Sequence, residues 1–137
     1  MVYAAGTVYT LTAVSAGVTF GSISPSTSMG AFGTYLIQAR VKVALNAATF
    51  AANQTLTVKL RRTNNTPTDI GNSSTTWIVP IVTTATQTLA VIELPEVFYV
   101  ASSSADILQI FADVSALPSA GTISIDEASI VMVRVRP

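Results

Sequence analysis

Residues 35–45 alternate with a period of two. Tyr35, Ile37, Ala39, Val41, Val43 and Leu45 fall on one side, and Gln38, Arg40 and Lys42 fall on the other. After residues 46–54 the rhythm returns, with Leu56, Val58 and Leu60 opposite Thr55, Thr57, Lys59 and Arg61. Alternation of this kind predicts strands whose side chains point in turn to core and to water. Both stretches are therefore expected to be half-buried β-strands, and the rest of the chain is read around them.

Residues 7–12 and 17–20 are short strand candidates, and residues 21–33, with Pro25 and several Ser and Thr, read as a loop or irregular arm. Residues 44–52 are alanine-rich enough for one helical turn but too short to stand as a helix. Residues 64–76, with Pro67, Asp69, Gly71 and Asn72, read as a long polar loop, the kind of segment in which binding often occurs. Trp77, Val79 and Ile81 share a face, but Pro80 cannot donate to a ladder, so this strand is expected at an edge or a bulge. Residues 89–94 and 97–100 follow. The second run is apolar on both faces, which predicts a second sheet on one side and a sister subunit on the other. Residues 106–114 alternate again, and residues 122–125 and 128–136 read as a closing pair joined by a hairpin-length gap at Asp126 and Glu127. About eight to ten short strands without a convincing helix predict an all-β antiparallel sandwich. A jelly roll is favoured over an immunoglobulin-type sandwich because the Cys, Trp, Cys arrangement is absent.

Composition adds a constraint. The 137 residues suit one domain, and only 10% are charged while 50% are hydrophobic. Ordinary soluble domains carry about 25% charged residues, so some of this apolar surface is expected to be covered by other subunits. Seven basic and seven acidic residues cancel, which removes the electrostatic footprint of a nucleic-acid or anionic-membrane binder. No charge occurs before Arg40. Frequent Gly, Ser and Thr argue against a spanning helix there, and the start lacks the positive charge of a secretory signal. Two readings of residues 1–33 stay open: an arm lying on a neighbouring subunit, or edge strands of the domain itself. Residues 34–137 form the sandwich in either case.

Catalysis is not expected. The chain has no histidine or cysteine, which removes the commonest base, nucleophile pair and transition-metal ligands, and no cofactor is implied. Glu93 with Glu96, and Asp126 with Glu127, could in principle form a glycosidase-like pair. They are read instead as solvated charges at turns and strand ends. Asp69 with Asn64, Asn65 and Asn72 offers too few carboxylates for a hard cation. Gly30 and Gly33 lack the lysine and helix of a phosphate loop. Three glycosylation-type triplets, at 53–55, 64–66 and 72–74, are unsurprising in an Asn- and Thr-rich chain.

The surface features that remain point to contacts. Arg40, Lys42, Lys59, Arg61 and Arg62 lie on the polar sides of the two organising strands and would form a positive patch if those strands were adjacent. That patch is either an intersubunit contact or an ordinary solvated face that discourages edge pairing. Trp77 is either a partner anchor or the plug at the end of the core. Phe98 and Tyr99 point to opposite faces of their strand, as at a subunit interface. Tyr3, Tyr9, Phe20 and Phe32 in the uncharged first segment complete the candidate interface residues, with Arg40, Lys42, Arg61, Arg62, Trp77, Phe98 and Tyr99.

The compact β pattern without His or Cys, the Ser/Thr/Ala-rich strands, the charge-free first segment and the ending Ala128-Ser-Ile-Val-Met-Val-Arg-Val135 resemble the small jelly-roll proteins of tailed-bacteriophage virions. Within that group the chain is similar to capsid decoration, or cement, proteins, which resemble trimeric tumour-necrosis-factor and C1q-type jelly rolls. The resemblance carries over no individual residue. It implies a homotrimer on the exterior of a virion that clamps adjacent major capsid protein subunits. The alternative is the head of a phage fibre or spike that touches a host glycan or receptor through residues 64–76 near Trp77.

Overall fold

The computed structural model describes residues 2–5, 8–23, 32–63, 67–79, 87–101 and 106–137, with the side chains of 2–5 and 19–23 outside the description. Among the described residues eleven strands follow in order: β1 (Val2–Ala5), β2 (Tyr9–Thr10), β3 (Ser15–Ile23), β4 (Gly33–Thr49), β5 (Gln54–Arg62), β6 (Thr68–Asp69), β7 (Thr75–Val79), β8 (Gln87–Glu93), β9 (Val97–Ala101), β10 (Leu108–Val114) and β11 (Ala120–Arg136). They form two antiparallel sheets. In the six-stranded sheet β11 and β4 are central, with β1 and β2 along the outer edge of β11 and β8 and β9 along the outer edge of β4. In the five-stranded sheet the order is β3, β10, β5, with β6 and β7 along the outer edge of β5.

Collinear short strands count as one position, so each sheet is four positions wide. The first position pairs with the last, the second with the seventh, and the third and fourth with the sixth and fifth. A long hairpin wrapped over itself gives this order, so the sandwich is of the jelly-roll type. The alternation read along β4 and β5 sets the core. Tyr35, Ile37, Val41, Val43 and Leu45 face Leu56, Val58 and Leu60 across the interior, and Ile110, Ile123, Ile130 and Met132 fill it from the neighbouring strands.

Three local expectations change. The closing stretch is one 17-residue strand rather than a hairpin. Both halves of β11 pair antiparallel with β4, and a bulge between Ile125 and Glu127 inserts Asp126, whose carboxylate accepts from the Ser124 hydroxyl at 2.7 Å. A bulge shifts the side-chain parity by one, so Ile123 and Ile125 face inward before it, and Ala128, Ile130 and Met132 after it. In the alanine-rich stretch β4 continues to Thr49 instead of making a helical turn. At that end Gly121 takes φ 71°, and a Cβ there would lie 2.2 Å from the carbonyl oxygen of Ala47, so the close approach of β11 to β4 requires glycine.

The polar stretch 64–76 is not one long loop. Residues 64–66 lie outside the described part, but β6, a turn at Gly71–Asn72 and the start of β7 follow at once. Ser73 is buried, and its hydroxyl accepts from the Leu60 amide at 3.1 Å and donates to the Ile70 carbonyl at 2.6 Å, clasping the turn to β5. β7 does lie at a sheet edge, as Pro80 led one to expect.

In the first segment, the described residues form edge strands of the sandwich. β1 and β2 pair with β11, and β3, extending to Ile23, pairs with β10. Leu11 and Val18 are buried in the core. Each removes roughly 1.5–3 kcal/mol worth of apolar side chain from water. Deleting residues 1–23 is therefore expected to abolish cooperative folding, as read by near-ultraviolet circular dichroism and thermal unfolding. A truncated chain 24–137 with the same signature and midpoint as the full chain would contradict this packing.

Candidate interaction face

The two outer surfaces of the sandwich are built differently. The polar rows of β4 and β5 lie on opposite sheets, so Arg40 and Lys42 face away from Lys59 and Arg61, and the single positive patch expected from them does not form. A sequence with β4 and β5 consecutive suggested a pair; the connection instead crosses from one sheet to the other.

On the five-stranded sheet, charge is neutralised locally. Lys59 Nζ lies 2.8 Å from Asp113 and 3.0 Å from Asp69, and Arg61 Nε lies 2.6 Å from Asp69. Ser15 donates to Asp113, and the Arg61 guanidinium sits 4.0 Å over the ring of Phe111. The hydrogen bond from Arg61, then that from Lys59, holds the Asp69 carboxyl below its ordinary value against the effect of burial. Burial raises the Asp113 carboxyl, but bonds from Lys59 and Ser15 outweigh it and the net direction is down. The bonds from Asp113 and Asp69 raise Lys59. Asp69 is thus committed to two cations of its own chain rather than to a calcium site; Asn64 and Asn65 lie outside the described residues. Among the described residues no group of three potential metal ligands occurs.

On the six-stranded sheet the outward row reads differently. Val133, Leu36 and Phe98 lie side by side across β11, β4 and β9, with Val131 and Val100 in the adjoining rows. Phe98 is 70% exposed, Val100 64% and Val133 53%. Phe32, just before β4, is exposed as well. Further along, Arg40 stands beside Glu93, Lys42 beside Glu127 and Val91, and Ala44 beside Leu89. Between the two regions a cleft of about 500 Å³ is lined by Gln38, Arg40, Glu93, Leu94, Glu96, Ser129 and Val131. Gln38 donates to Glu96 across it. Among the described residues no ion pair forms on this face, although Arg40, Lys42, Glu93 and Glu127 all lie there.

The expected interface residues separate accordingly. Arg40, Lys42 and Phe98 share the outer side of the six-stranded sheet, with Phe32 exposed at the start of β4. Arg61 belongs to the opposite face. Tyr99 points into the core, where its hydroxyl donates to the buried Asp106 at 2.6 Å. Burial first, then the Asp106 carboxylate, pushes that hydroxyl up to about 12. Arg62 sits at the same end of the core and acts on Tyr99. Tyr9 and Trp77 are half-buried and packed against the core, Trp77 closing its rim beside Leu56. The side chains of Tyr3 and Phe20 lie outside the described residues.

The cleft brings Glu93 and Glu96 together, and both are exposed at its rim. An exposed mixed-charge cleft suits the binding of an ionic group. Val131, Val133 and Val135 alternate with Ile130 and Met132 along β11, so both sides of that strand carry apolar residues. That its outward members join Leu36 and Phe98 depends on pairings between distant strands, which no local pattern reveals.

The ion-pair cluster has a pH signature. Carboxyls whose folded values are depressed contribute stability above their unfolded value, near 3.8, and lose it as pH falls through the folded value. Lys59→Ala is expected to cost up to about 1 kcal/mol at neutral pH, since the groups are partly exposed. Denaturant titrations at neutral pH and below pH 3.8 should show the difference from the parent chain shrinking at the acid end. A difference that is the same at both would contradict the assigned pairs.

No family model matches the chain, and no curated protein matches its sequence.

Proposed function

We propose that this chain is a structural virion protein that decorates and stabilises a bacteriophage capsid from the outside, binding between major capsid protein subunits as an oligomer. The observation that carries the reading is the asymmetry of the sandwich. One outer face satisfies its charges within the chain, while the other combines an exposed apolar block with charges that have no ion partner among the described residues. Contiguous exposed apolar surface on a soluble domain marks an interaction site. Low overall charge and a two-sheet sandwich suit a component that works by covering surface.

No reaction is needed for this role. A molecule that binds the assembled shell and not its dissociated subunits stabilises the shell by mass action. The resemblance to decoration proteins supplies the shell as partner and a trimer as the oligomer. The fibre-head alternative used residues 64–76 near Trp77; Trp77 packs against the core, and of that segment β6 and Ser73 are tied to β5.

Counting copies per purified particle by quantitative mass spectrometry tests the reading. A decoration protein is expected at a copy number comparable to that of the major capsid protein, and particles stripped of it by salt or mild heat should rupture at lower temperature. A few copies confined to the tail tip, or stripped particles with unchanged rupture temperature, would contradict it.

A further inference from the structure

The exposed face of the six-stranded sheet carries opposite charge at opposite corners of its apolar block. Arg136 pairs with Thr34 at the end of the central ladder, in the row of Val100. Glu93 pairs with Arg40, six residues further along β4 and on its other side. At about 3.3 Å per residue the two corners are roughly 20 Å apart along the strands. The Val133, Leu36 and Phe98 row lies between them. The cleft at the Glu93 corner holds two carboxylates, Glu93 and Glu96, against one guanidinium, Arg40, and is net acidic. At the other corner Arg136 makes no ion pair among the described residues, while Arg134 reaches the Phe32 carbonyl at 2.7 Å.

A two-fold axis through the middle of the block exchanges these corners. It would lay the basic corner of each copy on the acidic cleft of the other while the two apolar rows cover one another. Such a surface is complementary to itself, the condition for an isologous contact. We infer that the outer face of the six-stranded sheet is a self-association surface, on which a second copy of this chain docks its Arg136 against Glu93 and Glu96. The inference rests on the proposed role as an assembling subunit and names its first partner. It gives a pair, not the closed ring of three that the resemblance implies.

Exposed residues at both corners permit a test that leaves the core alone. Sedimentation of the full chain is expected to show a monomer–dimer equilibrium. Arg136→Glu and Glu93→Arg should each weaken association at least tenfold, with unchanged circular dichroism. Each variant alone places like charges together, whereas an equimolar mixture restores attraction at both corners, so the mixture should recover dimer. Phe98→Ser should weaken association of the parent without rescue by either variant. A parent chain that stays monomeric to about 1 mM, where even an association of about 4 kcal/mol would show, overturns the inference. So does a trimer insensitive to the swaps, or a mixture that does not recover. These outcomes are separate from those of the copy-number experiment: a chain that remains monomeric yet coats particles keeps the decoration role, and a dimer that binds no shell removes it.

Discussion

The pairing of β4 with β11 holds the molecule in register. It runs from Thr34 opposite Arg136 to Thr49 opposite Ala120, and every other strand of the six-stranded sheet hangs on one of these two. Inward residues of the same ladder, Tyr35 through Leu45 and Ile123 through Met132, form one wall of the core. Since side chains alternate between bulges, the register that buries this wall also decides which residues are left outside. The outward row of Val133, Leu36 and Phe98 is therefore a consequence of core formation. Its exposure cannot be relieved by local rearrangement without unburying the wall behind it.

The sequence made some of this readable and hid the rest for identifiable reasons. Alternation along 35–45, 55–61 and 106–114 named the core residues of β4, β5 and β10, because one face of each is apolar and the other is not. The bulge at Asp126 interrupted the alternation of β11 and made one long strand look like a hairpin. Ser73 could not be identified as a clasp, since its value lies in an amide thirteen residues away. Arg40 and Arg61 looked like neighbours because their strands are consecutive, and only the crossover between sheets separates them. Of the candidate interface, Phe98 was legible as exposed or covered depending on one unknown, whether a second layer lies over β9. Tyr99, its neighbour, takes the inward position that parity demands.

The contrast between the two outer faces links architecture to role. Lys59, Arg61, Asp69, Asp113 and Phe111 consume one another's charge and aromatic surface on the five-stranded sheet, a solution compatible with water. Ile78 remains exposed there opposite Thr55, and a single exposed apolar side chain is ordinary for a protein surface. On the six-stranded sheet the apolar side chains are contiguous, and the charges beside them make no ion pair among the described residues. The first condition favours solvent and the second favours company, so under the proposed role the five-stranded sheet is the wet side and the six-stranded sheet the side a partner covers.

Hydroxyl-radical footprinting, compared between dilute protein and the concentrated or particle-bound state, tests that asymmetry most directly. Phe98 should become protected on association while Ile78, 67% exposed on the opposite face, keeps its reactivity. Equal reactivity of Phe98 in both states, or protection of Ile78 in its place, would contradict the assignment of the six-stranded sheet as the covered face.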